Sequence, residues 1–327
     1  MSKSLRRLLL LLLVLLLSLL LGLCFGAASL SPSQLVACLM GKGSGAAGRI
    51  FLHVRLPRVL GAVLAGAALA VSGAILQAVL NNPMAAPNII GVNSGAGFIV
   101  LLCAAFLPVS TQMMPVAAFL GALLSAGMVF LLSAAGGGSR TTLILVGVAM
   151  TSIMTAGMNC IMLLYPDAYI GASVFLVGGL SGVTLKGLAL PSVMILAGLL
   201  GAMLLRREMN LLVLGDLSAR SLGLNASAVR FLLVMLAALL AGAAVSFGGL
   251  IGFVGLIVPH ALRLLLGNDN RWLIPGSALG GAALVVLCDL LARILFAPYE
   301  LPVGILLSFL GGPFFIVLIL RERRRRL

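Results

Sequence analysis

The chain has 327 residues, of which 62% are hydrophobic and only 9% charged, with a formal net charge of +14. A soluble domain carries roughly 25% charged residues, so a chain this apolar cannot cover a water-facing surface and is expected to be polytopic in a membrane. Its apolar runs are about 20 residues long and lack period-2 alternation, which excludes a lipid-facing β-barrel. The positive charge needs no nucleic-acid partner, because cytoplasmic loops of membrane proteins collect Lys and Arg.

Taken in chain order, hydropathy predicts ten spans: 8–29, 57–80, 89–107, 113–134, 142–164, 188–205, 231–250, 256–266, 273–293 and 302–320. The first follows a basic start, "MSKSLRR", and outruns the apolar core of a signal peptide, so it reads as a retained span. Residues 30–56 are rich in Gly and Ser and are expected to be partly irregular. The second span begins beside Arg55 and Arg58. The loop "LNNPMAAPNIIGVNSGAGF" (80–98) holds two prolines that keep it extended, with Asn88 or Ser94 placed to cap the next helix. "GGGSR" (136–140) precedes the fifth span. The loop 165–187 is expected to contain a short amphipathic helix.

The most polar internal stretch is "RREMNLLVLGDLSARSLGLNASAVR" (206–230). It reads as two short helices broken by Gly215 and Gly223, and a loop this long with its own pattern is more often functional. The eighth span is short and contains Pro259 within "FGGLIGFVGLIVPH" (247–260). Gly and Pro there point to close helix contact or to a helix broken beside a cavity. In the ninth, Asp289 and Arg293 are four residues apart and share a helix face.

With the N-terminus inside, the inner side receives Lys3, Arg6, Arg7, Arg140, Arg206, Arg207, Arg220, Arg230, Arg263, Arg271, Arg321 and Arg323 to Arg326, which is 15 of the 21 Lys and Arg residues. Ten crossings put both termini in the cytoplasm. The exceptions are Lys42, Arg49, Arg55, Arg58, Lys186 and Arg293. "LAGAALAVSG" (64–73) and "LAGAAVSFGG" (240–249) match at six of ten positions in spans that run oppositely, as an inverted repeat would.

Chemistry is sparse. No P-loop is present; "GSGAAGRI" (43–50) lacks the Lys-Ser/Thr that holds phosphate and Mg²⁺. Cys24, Cys38, Cys103, Cys160 and Cys288 have no metal or redox spacing and read as small apolar residues. With two histidines, a protein metal site is not expected, and His260 suits a structural hydrogen bond better than proton transfer. A stand-alone secondary transporter would want several mid-span acids, which the chain lacks. A membrane enzyme would want an acid/base or metal cluster, also lacking.

Four stretches carry a resemblance: "RLPRVLGAVLAGAALAVSGAILQAVLNNPMAAPNIIGVNSGAG" (55–97), "NLLVLGDLSARSLGLN" (210–225), "GFVGLIVPHALRLLLGNDNRWLIPGSALGGAALVVLCDLLAR" (252–293) and "ELPVGILLSFLGGPFFIVLILR" (300–321). Together they resemble the permease subunits of ABC importers for iron chelates, haem and vitamin B12, the type II importers. The resemblance implies an all-α integral membrane fold of about ten helices, one permease domain over 1–327, in the cytoplasmic membrane of a bacterium or archaeon. It implies a second copy of the chain, two cytoplasmic ATPase subunits that bind ATP and Mg, and a periplasmic or lipid-anchored binding protein that delivers cargo, iron(III)-siderophore first, then haem or vitamin B12. The chain itself would hold no cofactor or metal and catalyse nothing. By the same resemblance Arg55, Arg58 and Arg293 dock the binding protein. Gly215, Asp216, Ala219, Arg220, Leu222 and Gly223 contact the ATPase. Asn82, Met84, Thr141 and Thr142 form the cytoplasmic gate.

Overall fold

The computed structural model describes residues 3–26, 31–40, 45–107, 113–297 and 299–326, so Lys42 lies outside them. Among these residues every regular element is helical. The chain opens with α1 (Lys3–Cys24), α2 (Pro32–Leu39) and α3 (Gly45–Ile50). A π-helical turn, Phe51–Arg55, then joins α3 without a break to α4 (Leu56–Leu80). The segment expected to be irregular is therefore largely helical. Ser31 begins α2 with a full capping box to Gln34, a device that offsets the unsatisfied N–H groups of a helix start.

A 3₁₀ turn, Pro87–Ile90, leads into α5 (Val92–Phe106), followed by α6 (Met114–Ala135), α7 (Arg140–Leu164), α8 (Pro166–Val177) and α9 (Leu185–Leu204). Two short helices, α10 (Arg206–Val213) and α11 (Asp216–Ser221), precede α12 (Ala226–Gly248), α13 (Val254–Leu266), α14 (Asn270–Ile294) and α15 (Val303–Arg326). Seven apolar helical stretches are long enough to cross a membrane, and α5, α8, α13 and the first part of α15 are shorter apolar helices. Each of the ten expected spans appears as a helix; the helix in 165–187 is α8, a short, mostly apolar helix with Asp167 in its first turn and no amphipathic pattern.

Helix α4 is the centre of the bundle, lined on almost every side. Its glycines set how near its neighbours come. A Cβ on Gly66 would stand 2.2 Å from the Gly281 carbonyl of α14, and one on Gly73 would stand 1.9 Å from the Gly255 carbonyl of α13. Such backbone-to-backbone approach is what small residues permit between membrane helices. Ser72 Oγ donates to the Ala237 carbonyl of α12 at 2.7 Å. Gly61 meets Phe247 while Ser72 meets Ala237, so the two similar segments, 64–73 and 240–249, lie in helices that run antiparallel.

Helix α13 continues through Pro259; the break falls earlier, at 249–253, with Phe253 in the left-handed region at φ +65°. Proline removes the N–H that would bond the carbonyl four residues back. That carbonyl, of Gly255, instead accepts from Gln77 Nε2 at 3.3 Å. Non-helical backbone at membrane depth must be satisfied by protein or by a water-lined cavity. Here the Leu250 N–H donates to the Phe175 carbonyl, the Gly179 N–H to Gly248, and the Gly304 N–H to Gly178. The ends of α8 and α12 and the start of α15 are thus tied at one point, and the ring of Phe253 fills the place a side chain on Gly311 would occupy.

Candidate functional site

At one end of the bundle α1 stops, α4 starts and α14 stops. Arg55 Nη1 donates to the carbonyls of Leu23 and Cys24, both at 2.6 Å. Arg293 donates to Gly22 at 3.2 Å and Phe25 at 3.3 Å. Two cations therefore meet the carbonyl end of α1, where the helix dipole favours positive charge. Asp289 bridges Arg58 Nε at 2.9 Å and Arg293 Nε at 3.1 Å, and Arg58 reaches Glu300 at 2.5 Å. Arg55, Arg58 and Arg293 are only 3, 6 and 3% exposed. The structure brings the three together from distant parts of the chain, but it turns them inward. Their acceptors here lie within the chain.

The opposite end gathers Arg140, Arg206, Arg207, Arg230, Arg263 and Arg271. Asn81 turns the chain in the left-handed region, and Asn82 Oδ1 accepts from the Met84 N–H at 2.9 Å. The loop then lies against α7 so closely that a Cβ on Gly147 would stand 1.8 Å from the Ile89 carbonyl. Gly91, not Asn88 or Ser94, occupies the cap of α5, and Ser94 Oγ donates back to the Gly91 carbonyl. Thr142 is engaged with Ser139 at the start of α7 through its N–H and hydroxyl. Thr141 is exposed.

Helix α7 is the least enclosed long helix of the bundle. Its residues Thr141, Leu145, Val148, Ser152, Thr155 and Asn159 are spaced alternately four and three apart, which puts them on one face, and all six are exposed. Ser152 bonds its own helix at Val148. The side chains of Thr155 and Asn159 make no hydrogen bond to another described residue. Four of the six are polar, Thr141, Ser152, Thr155 and Asn159, a stripe that a hydropathy window misses because it averages over faces.

The 206–230 segment folds as expected into two helices. Asn210 pins α10 to the start of α14, accepting from Asn270 at 3.0 and 2.7 Å and donating to Asp269 at 2.9 Å. The Arg271 N–H and the Asn210 amide together hold the Asp269 carboxyl below its usual range. Gly215 and Gly223 both have positive φ, +102° and +83°, a conformation that favours glycine. Arg220, Leu222 and Gly223 are exposed, whereas Ala219 is fully buried. Both oxygens of Asp216 are engaged within the chain, by Arg140 at 3.0 Å and Arg230 at 2.7 Å. The most exposed large side chains of the segment are leucines, of which the sequence reading had named Leu222 but not Leu214 or Leu217. Leu217 is 87% exposed, and Leu214 and Leu222 are each 62% exposed. No cluster of three metal-binding side chains occurs among the described residues.

Closely packed apolar helices, irregular backbone satisfied inside the bundle and one exposed span with a polar face define a membrane permease. The chain belongs to the FecCD transport family, whose model matches residues 11–321. It is 41% identical to the hemin transport system permease HmuU of Yersinia pestis, over 85% of each chain. It is 39% identical to the iron(3+)-hydroxamate import permease FhuB of Bacillus subtilis, over 84% of this chain and 72% of that one. Among solved structures it is similar to an inward-facing transporter provisionally classed as a metal-chelate type ABC transporter, with TM-score 0.86, 30% identity and coverage of 97% and 99%. PsaBC from Streptococcus pneumoniae shares the fold, with TM-score 0.61 at 17% identity over 83% of this chain and 92% of that one.

Proposed function

We propose that the chain is the translocation subunit of an ATP-driven importer for an iron chelate, working as a pair of identical copies. The exposed stripe of α7 carries this reading. Ser, Thr and Asn on a span hydrogen-bond across helices or line a wet path, because lipid offers them no partner. A second copy facing α7 would enclose Thr155 and Asn159 along a pathway between the two chains. The positive-inside rule assigns the arginine-rich end and both termini to the cytoplasm of a bacterial or archaeal cell. There the apolar knuckle of Leu214, Leu217 and Leu222 would sit in a cleft of an ATPase subunit, which supplies ATP and Mg. At the other end a binding protein would deliver cargo. If it docks through Arg55, Arg58 and Arg293, its carboxylates must exchange with Glu300 and the α1 carbonyls.

Relatives named for hemin, hydroxamate and citrate are 34 to 41% identical, a span too narrow to rank the chelates. Haem and iron(III)-siderophores therefore stand together as cargo classes. The test is reconstitution in liposomes with the ATPase subunit and binding protein, supplying hemin and a ferric hydroxamate in parallel. Uptake of one of them only with ATP, lost when Leu217 and Leu222 are both changed to Arg, is the expected result. Uptake by the chain alone would overturn the reading.

A further inference from the structure

We infer that Asp216, Arg140 and Arg230 form a latch that fixes the knuckle at 214–222 to the base of α7, so that displacement of one moves the other. This inference rests on the permease reading for its purpose, but its geometry stands alone. Asp216 opens α11 directly after Gly215. Its Oδ1 accepts from Arg140 Nη2 at 3.0 Å and its Oδ2 from Arg230 Nη2 at 2.7 Å.

Each arginine also bonds the backbone of a second segment. Arg140 Nη2 donates to the Leu212 carbonyl of α10 at 2.8 Å, and Arg230 Nη1 donates to the Gly138 carbonyl of the α6–α7 turn at 2.7 Å. Four chain segments are cross-braced: the end of α10, the start of α11, the turn before α7 and the N-terminal part of α12. Arg140 is the first residue of α7, and Thr141, the next, begins the polar stripe. Bonds between ionised partners are roughly twice as strong as neutral ones, and Arg230 is buried. The flanking glycines, Gly137 and Gly138 on one side and Gly215 and Gly223 on the other, all have positive φ and open space where a Cβ would stand. The braced unit is thus stiff within and pliant at its edges. Asp216 is a positioning residue: Leu217 beside it makes the outward contact, and Asp216 determines where that contact leads.

The test has two arms. Hydrogen exchange on the full chain in lipid nanodiscs, without partners, compares wild type, Asp216→Asn, Asp216→Glu and Arg140→Gln. Asp216→Asn should raise exchange in 136–143 and in 212–223 together, about tenfold, the order expected for loss of a charged bond. Asp216→Glu should restore most of the protection, and Arg140→Gln, which leaves the Arg230 arm, should show a smaller rise in both. Exchange that is unchanged, or that rises in only one segment, overturns the latch. In the second arm the same variants are assembled with the ATPase subunit. Asp216→Asn should still assemble, with chelate moved per ATP hydrolysed reduced about tenfold. An unchanged ratio overturns the latch and leaves the permease reading intact. Failure of the wild-type chain to bind an ATPase subunit overturns that reading, and the exchange arm then decides the latch by itself.

Discussion

Replacing Asp289 by Ala tests whether the buried arginines belong to the fold. Asp289 is the shared acceptor of Arg58 and Arg293. Its loss takes a group of three guanidiniums and two carboxylates to three and one. Breaking a buried ion pair by removing one partner costs about 3–5 kcal/mol, because the remaining charge stays buried without compensation. Arg58 keeps Glu300 and Arg293 keeps the carbonyls of Gly22 and Phe25, which places the expected loss near the lower end, about 3 kcal/mol. For a chain of this size that is a fall of roughly 6 °C in Tm. The assay is thermal unfolding of the isolated chain in detergent, with no partner present. Arg58→Met combined with Asp289→Leu should recover part of the loss, since apolar replacement of a whole buried pair is often neutral. If Asp289→Ala melts with the wild type, the arginines are not held as described and their inward bonds carry no stability.

Three other outcomes follow from the geometry. Gly73→Ala places a methyl 1.9 Å from the Gly255 carbonyl; because the obstacle is backbone and cannot rotate away, destabilisation should reach about 3 kcal/mol, read by the same melting assay, with Gly127→Ala, which meets nothing within 4 Å, as the silent comparison. Thr155→Val with Asn159→Leu should leave the melting temperature of the isolated chain the same or higher and depress chelate uptake, whereas unchanged uptake would put that face against lipid. Hydrogen bonding from Arg230, with Arg140 beside it, holds the Asp216 carboxyl below its ordinary value of 3.8. A depressed carboxyl lends stability that is present above 3.8 and is lost as pH falls through the lower folded value. Exchange protection of 212–223 should therefore persist from pH 7 to about 4 and collapse only in stronger acid.

The spans were legible because lipid imposes one rule, long apolar runs, on each of them. The pairing of Asp289 with Arg293 was legible because four residues along a helix is one turn. Other features were hidden because they depend on what lies across the bundle. Nothing local marks Arg58 as a partner of Asp289, 231 residues away, or Arg55 as a cap for α1. Pro259 suggested a broken helix, yet Gln77 from another helix satisfies the carbonyl that the proline frees, and the break moves to the glycines before it. Asp216 entered as an ATPase contact through the resemblance, and only the fold shows both its oxygens engaged by Arg140 and Arg230. The stripe on α7 was in the sequence all along, at alternating spacings of four and three, but a hydropathy window blurs it.

The knot of backbone bonds at Gly178, Gly248 and Gly304 limits how the molecule can change shape. Because α8, α12 and α15 meet there through main-chain groups, no side-chain rotation can release one from the others. Any opening toward either side of the membrane must carry these three helix ends as a single block. The freedom to respond then falls to α7, the long helix with the smallest share of its surface enclosed.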